Sequence, residues 1–275
     1  MAVTVDSEGT GHWRELRPGV LVRRYAELDL TVGLVLGDEQ ALVIDTRGDR
    51  RQGAELAEAV RGLTRLPAQV VLTHAHFDHC FGTTAFTPAP VWSHVDFTAH
   101  LTATAELQRE AWTRHYRAVG ETETAAALAE TVIEFPDRSV DEPVVLDLGG
   151  RTVRLFHPGP GHTDHDLVIR VEDAAVSFVG DLLENGACPD FEDAHPLRWP
   201  DSLGQVLGHS DELFVPGHGD PMSPEQAARQ HTELRSLAEL CAGVSRGEIG
   251  EREAVAQGPY PEETVRAALS RVGGG

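Results

Sequence analysis

The chain has 275 residues, of which 23 are basic and 44 acidic, so its formal charge is −21; 41% of residues are hydrophobic and 24% charged. This is the profile of a soluble globular protein rather than a disordered one, and its acidity disfavours nucleic acid, whose phosphates it would repel. Three cysteines, Cys80, Cys188 and Cys241, stand far apart without a C-x-x-C pair, so neither a disulfide framework nor a cysteine zinc knuckle is suggested, and a reducing compartment fits.

The opening Met1-Ala2-Val3-Thr4-Val5-Asp6-Ser7-Glu8 lacks the basic and apolar regions of a signal peptide, and no run approaches ~18 apolar residues. The expectation is a cytoplasmic protein with no membrane partner. Val20-Leu21-Val22, Thr31 to Leu36 and Ala41 to Ile44 are short apolar runs broken by turn residues such as Gly37-Asp38, and they read as a strand meander. From Arg51 to Leu63, Leu56, Ala59, Val60 and Leu63 recur at three- and four-residue steps, which predicts a helix. Val70-Val71-Leu72 then predicts a buried strand, with a histidine cluster directly after its carboxyl end. The stretch from about 96 to 134 is helix-prone, with Leu107, Ala111, Trp112, His115 and Tyr116 at helical spacing. It is positioned to form a lid, although Trp112 and Tyr116 are better read as packing on the core.

Val144 to Leu148, the Gly149-Gly150 turn, Thr152 to Phe156, Leu167 to Val171 and Ala174 to Val179 predict two hairpins, and Leu213-Phe214-Val215 another strand. Ser223-Pro224-Glu225-Gln226 reads as an N-cap with proline at the first helical position, opening a helix through about Cys241. A shorter helix is expected near Glu262 to Arg271. No linker divides the chain, so residues 1–275 read as one domain: a core at about 18–221, a helical insertion at about 96–134 and a C-terminal helical segment at about 223–275.

His74-Ala75-His76-Phe77-Asp78-His79 carries the chemistry. In an extended segment side chains two apart share a face, so His74 and His76 can aim two imidazoles at one ion. Asp78 and His79 add a carboxylate oxygen and another imidazole, a mixture suited to zinc and other borderline divalent ions, and they make a second ion plausible. His162 in Gly161-His162-Thr163, Asp181 in Gly180-Asp181 and His218 in Pro216-Gly217-His218-Gly219 stand at the ends of expected strands, each beside glycine, which lets backbone turn sharply or approach closely.

In this order, H-x-H-x-D-H, G-H-T, G-D and P-G-H-G resemble the metallo-β-lactamase superfamily over roughly residues 18–221. The resemblance implies an α/β fold, a four-layer αβ/βα sandwich with its site on one edge of the two sheets. It further implies one metal held by His74, His76 and His162, a second by Asp78, His79 and His218, and Asp181 bridging both, with Asp45 in Ala41-Leu42-Val43-Ile44-Asp45-Thr46 supporting the metal loop. Two divalent ions are expected, zinc first and iron or manganese as alternatives. Ions sharing a water bring its pKa toward neutrality, so the expected activity is hydrolysis of an ester, thioester, lactone or related acyl bond in a small molecule by a bridging hydroxide, with Asp78 as catalytic residue orienting it. Asp181 makes the site more similar to glyoxalase II and lactonases than to true β-lactamases. A mononuclear iron persulfide dioxygenase is the second reading and a non-catalytic metal-binding scaffold the third; a homo-oligomer is compatible with the sequence.

Among the other histidines, His157 and His165 flank the His162 loop, where they could orient a ligand. His12, His94, His100, His115, His209 and His231 have no motif context and read as surface or packing residues. The loop from Leu182 to Pro200 is the expected substrate region, with Glu184, Asn185, Phe191, His195 and Trp199 as candidate contacts. Gly243-Val244-Ser245-Arg246-Gly247 fits the G-x-S-x-G string of serine hydrolases but follows a helix near the chain end, the wrong context for that nucleophile.

Overall fold

A computed structural model of the chain describes residues 11–272; the N-terminal segment expected to lack a leader lies outside them. Seven strands form the first sheet in chain order: β1 (Trp13–Arg17), β2 (Val20–Arg24), β3 (Thr31–Leu36), β4 (Ala41–Ile44), β5 (Ala68–Val71), β6 (Val91–His94) and β7 (Arg138–Val140). β1 to β4 are an antiparallel meander, and β4 to β7 run parallel. The second sheet holds β8 (Val144–Asp147), β9 (Thr152–Phe156), β10 (Val168–Val171), β11 (Val176–Glu184) and β12 (Leu213–His218), all antiparallel except the β11–β12 pair.

The two-residue period of the strands builds the layers. In β4, Leu42 and Ile44 face the second sheet, where they meet Leu155, Ile169, Val176 and Phe178 in the inter-sheet core. Ala41 and Val43 point the other way, into a core shared with Leu56 and Val60 of α1 (Arg50–Leu63) and Phe97 and Leu101 of the helix over Phe97–Ala118. In β11, Phe178 faces inward while Val179 packs with Leu203 and Val206 of the helix over Trp199–Leu207 and with Leu234 and Leu237 of the helix over Pro224–Ser245. Helices therefore cover both outer sheet faces, which is the αβ/βα sandwich. Gly33 sits where a Cβ would overlap the Phe178 ring, so glycine there lets the two sheets close.

The helices in chain order are α1, α2 (Phe77–Cys80), α3 (Phe97–Ala118), α4 (Thr122–Ala129), α5 (Trp199–Leu207), α6 (Pro224–Ser245), α7 (Glu251–Gln257) and α8 (Glu262–Ser270). α1 starts one residue earlier than its apolar spacing implies, because the Asp49 carboxylate accepts from the backbone N–H groups of Arg51 and Gln52. α6 opens on the expected Ser223 cap, completed by the Gln226 side chain, and continues past Cys241 to Ser245. The Ser245 of the G-x-S-x-G string thus ends a helix rather than following a strand. The helix-prone insertion splits into α3 and α4 at Gly120, whose φ is +87°. Tyr116 is buried in the core as expected, whereas Trp112 is half-buried against Phe77, with ring centroids 4.5 Å apart.

β1, β6, β7, α2, α5 and α7 have no counterpart in the sequence reading, Asp78 and His79 standing on the short α2 rather than in a loop. β1 is an edge strand rich in charge, and β6 and β7 have only four and three residues, too few for a period to show.

Candidate metal centre

All seven motif side chains meet at one end of the sandwich, in the segments after β5 and β9, at the last residue of β12 and at a bend in β11. The pairing of β11 with β12 shifts register on either side of Gly180, whose φ is +52°. That irregularity turns Asp181 out of the regular pleat toward the histidines. Gly217 allows the approach from β12, since a Cβ there would overlap the Asp181 carboxylate.

Asp181 and His218 also group with Glu184; the two groups built from motif residues alone are His74, His76, His162 and Asp181, and Asp78, His79 and His218. The Asp181 carboxylate stands between them. Its Oδ2 lies 3.7 Å from His74 Nε2, 3.7 Å from His162 Nε2 and 3.3 Å from His218 Nε2, and its Oδ1 lies 3.4 Å from His79 Nε2. Asp78 Oδ2 lies 3.4 Å from His218 Nε2, and His76 Nδ1 lies 3.0 Å from His162 Nε2.

The surrounding hydrogen bonds select the ring nitrogen each histidine presents inward. His79 Nδ1 donates to Asp45 Oδ2 at 2.8 Å, which leaves Nε2 directed at Asp181 as the nitrogen that offers a lone pair once the imidazole is neutral. The single hydroxyl proton of Thr73 goes to Asp45, so Thr73 Oγ1 accepts from His74 Nδ1 at 3.0 Å and His74 Nε2 is also a lone pair. His218 Nδ1 donates to the Leu28 carbonyl at 2.6 Å, and His76 Nε2 donates to Asp193 Oδ1 at 3.2 Å. Leu28 holds that carbonyl from a left-handed backbone conformation, φ 54°.

The donor set fits divalent metal. His74 Nε2 and Asp181 Oδ1 are buried without a hydrogen-bond partner among the described residues, an expensive arrangement unless a cation meets them. The separations of 3.0–3.7 Å match the edge of about 3.4 Å that tetrahedral coordination with bonds of roughly 2.1 Å requires. Protonation reflects the same concentration of charge. Burial opposes the charged form of His218, but Asp181, Asp78 and Glu184 outweigh it and push the imidazole up to about 10. His79 is likewise raised, against its burial, by Asp181, Asp78 and Asp45. Burial, then the neighbouring His79, push His74 well below its ordinary value. For Asp181 burial is outweighed by His218, His79 and His74, which hold its carboxyl well below the usual range.

A sequence profile of the metallo-beta-lactamase superfamily matches residues 28–236. The chain belongs to the metallo-β-lactamase superfamily. Two relatives named metallo-beta-lactamase type 2 illustrate the likeness: that of Bacillus sp. (strain 170) is 28% identical over 195 residues, covering 68% of this chain and 66% of the relative, so the chain spans just under two thirds of that protein. The Bacillus cereus protein is also 28% identical, over 196 residues, with the same coverage. The human protein named acyl-coenzyme A thioesterase MBLAC2 is 26% identical over 232 residues, covering 78% of this chain and 81% of the relative. Among solved structures, a metallo-beta-lactamase from Pontibacter korlensis superimposes with a TM-score of 0.64 at 19% identity, over 82% of this chain and 99% of that one. That likeness establishes the fold. Superfamily members are mostly hydrolases.

Beside the motif residues, this superfamily member brings to the donors Asp193, which its sequence does not flag, and His165, one of the two histidines read as able to orient a ligand. Asp193, on the loop after β11, receives His76 and lies 3.4 Å from His100 Nε2. His165 is fully buried; its Nε2 accepts from the Ala75 N–H at 3.1 Å, while its Nδ1 donates to Asp164 Oδ1 at 2.7 Å. That bond holds the peptide between His74 and His76. His157 instead donates to the Asp166 carbonyl and stacks on His94, away from the donors.

Of the expected substrate contacts, Glu184 and Asn185 line a cleft of about 780 Å³ that opens over His76, Asp78, Asp181 and His218. His195 and Trp199 do not. Trp199 is fully buried, its indole N–H donates to the Leu182 carbonyl at 3.1 Å, and its ring lies against His162 and Phe191. Phe191 is buried with it, and the His195 backbone N–H bonds the Gly161 carbonyl, bracing the His162 loop. Both are core or loop supports because α5 turns this segment inward. Burial and the adjacent Asp181 push Glu184 well above the carboxylate range.

Proposed function

We propose that the chain is a metal-dependent hydrolase of small-molecule acyl bonds, an ester, thioester, lactone or relative, that works with two divalent ions, zinc first, in a cytoplasmic setting. The single observation that carries the reading is Asp181, whose two oxygens lie within 3.3–3.7 Å of imidazole nitrogens from both donor groups. His74, His76 and His162 would hold one ion and Asp78, His79 and His218 the other. When bound, the ions supply Lewis acidity and a water acidic enough to be deprotonated near neutral pH.

The chain's own groups do the positioning. Asp45, Thr73, Asp193 and the Leu28 carbonyl fix the imidazole orientations, so little reorganisation is needed at the reacting centre. Asp78, which lines the cleft, would orient an attacking water through a carboxylate oxygen. Gln230 of α6 bonds both the N–H and the carbonyl of Glu184, holding the end of β11 and with it the cleft wall. The thioesterase name of the human relative supports acyl chemistry, as does the β-lactamase name of the bacterial ones.

The test combines metal analysis with assays of p-nitrophenyl esters, acyl thioesters and lactones. Two ions per chain and chelator-sensitive hydrolysis, lost in His76→Ala and Asp181→Asn while circular dichroism is retained, are expected. Turnover unchanged in those variants overturns the reading, as does a single iron with oxygen consumption.

A further inference from the structure

The cleft over the donors has two unlike walls. On one side α3 presents Leu107, Ala111 and Trp112, and Leu28 and Phe77 extend the apolar surface. Leu107 is 66% exposed, a large aliphatic side chain in the cleft without protein cover. On the other side Glu184, Asp190, Glu192 and Asp193 line the wall, with Asp29 beside them, whereas Arg114 is the one lysine or arginine among the lining residues.

Two of these carboxylates are already engaged: Asp29 by Arg24, and Asp193 by His76 and His100. Glu184, Asp190 and Glu192 have no arginine or lysine within ion-pair distance among the described residues. Glu184 lies deeper in the cleft, with a carboxyl oxygen within reach of the Asp181 and His218 donors. It is only 7% exposed, and its Oε2 meets no hydrogen-bond donor among the described residues. A buried carboxyl oxygen left without a donor is unfavourable, and a cation or N–H arriving in the cleft would relieve it.

We propose that this cleft selects acyl substrates with one apolar half and one half carrying positive charge, an ammonium-bearing ester or thioester, and turns away polyanionic thiols such as coenzyme A. The apolar half lies on Leu107, Ala111 and Trp112; the cation faces the exposed carboxylates Asp190 and Glu192, with the unpartnered Glu184 oxygen as a deeper hydrogen-bond acceptor. The reaction is net addition of water: the carbonyl carbon gains the water oxygen, the C–O or C–S bond breaks, and the departing oxygen or sulfur takes a proton. The inference rests on the hydrolase reading of this site and narrows it, because the acidic wall lowers the local concentration of any phosphate-bearing substrate.

The test compares butyryl thioesters of thiocholine, N-acetylcysteamine and coenzyme A with the metal-loaded protein. The expected order of kcat/KM is thiocholine, then N-acetylcysteamine, then coenzyme A, with at least about a tenfold span at low salt that shrinks at about 0.5 M NaCl as the charges are screened. Asp190→Lys combined with Glu192→Lys, both exposed positions, shifts the order toward coenzyme A. Equal or better turnover of the coenzyme A thioester, or a ratio insensitive to salt and to the double variant, overturns the charge selection while leaving a hydrolase. If none of the three is turned over, the acyl-hydrolase reading falls. Calorimetry then decides the selection independently: tighter binding of hexyltrimethylammonium than of hexyl sulfonate supports it, and the reverse or parity overturns it.

Discussion

Asp45→Asn changes the chemistry beneath the donor cluster while keeping its shape. Asp45 adopts φ 63°, a left-handed conformation that asparagine tolerates, so the backbone has no reason to move. Its carboxylate accepts three bonds, each 2.8 Å long, from Thr73 N–H, Thr73 O–H and His79 Nδ1–H. An amide has one accepting oxygen. If that oxygen replaces Oδ2, the amide NH₂ faces the Thr73 N–H, leaving a buried donor unpaired at a cost of about 1–3 kcal/mol. If the amide turns round, its NH₂ faces His79 Nδ1, and the imidazole relieves the clash by moving its proton to Nε2. That nitrogen is the one directed at Asp181, so the second donor group loses a lone pair. The expected result is a fall in melting temperature of about 2–10 °C for the metal-free protein, together with a metal affinity lower by about 10–100-fold, the usual effect of losing a partner that orients a ligand. Calorimetric melting and competition against a chromophoric chelator measure the two. A variant that melts and binds zinc like the wild type refutes the reasoning that Asp45 sets the His79 tautomer.

The metal-free protein should lose stability as pH rises. His218 is raised to about 10 from an ordinary value near 6.5, so its contribution is fully present below about 6.5 and disappears as pH climbs through about 10; urea midpoints that rise from pH 7 to pH 9.5 contradict this. Metal affinity should increase over the same interval as protons leave the imidazoles, which zinc titrations at two pH values check. His165→Ala leaves the Ala75 N–H without its acceptor and should weaken metal binding about tenfold or more, whereas His165→Gln, whose side-chain oxygen can accept, should recover part of the loss; equal losses in both would count against a positioning role. Gly217→Ala places a Cβ onto the Asp181 carboxylate and 2.9 Å from His79 Cε1, so metal binding should be lost with destabilisation of about 1–3 kcal/mol; a variant that binds metal normally would show that β12 can yield there.

What the sequence determined by itself was whatever depends on neighbours along the chain. The meander, α1, the two hairpins and the Ser223 cap follow from period-two and period-3.6 apolar spacing and from local capping, each settled within a few residues. The His74 to His79 cluster was legible for the same reason, and His162, Asp181 and His218 because glycines mark where backbone must bend toward a crowded site. Tertiary structure alone decided the rest. Asp193 and the Leu28 carbonyl meet the donors across 117 and 190 positions of chain, and a lone aspartate or peptide oxygen carries no pattern at such range; His165 was legible from its place beside the His162 loop, but not its partner, the Ala75 N–H 90 positions away. Trp199 was expected in the cleft as part of the Leu182 to Pro200 substrate loop, yet α5 turns it into the core, where its indole finds the Leu182 carbonyl. The chain therefore announces its donors, whereas their orientation and the charge of the walls around them arise only when two sheets bring distant loops to one edge.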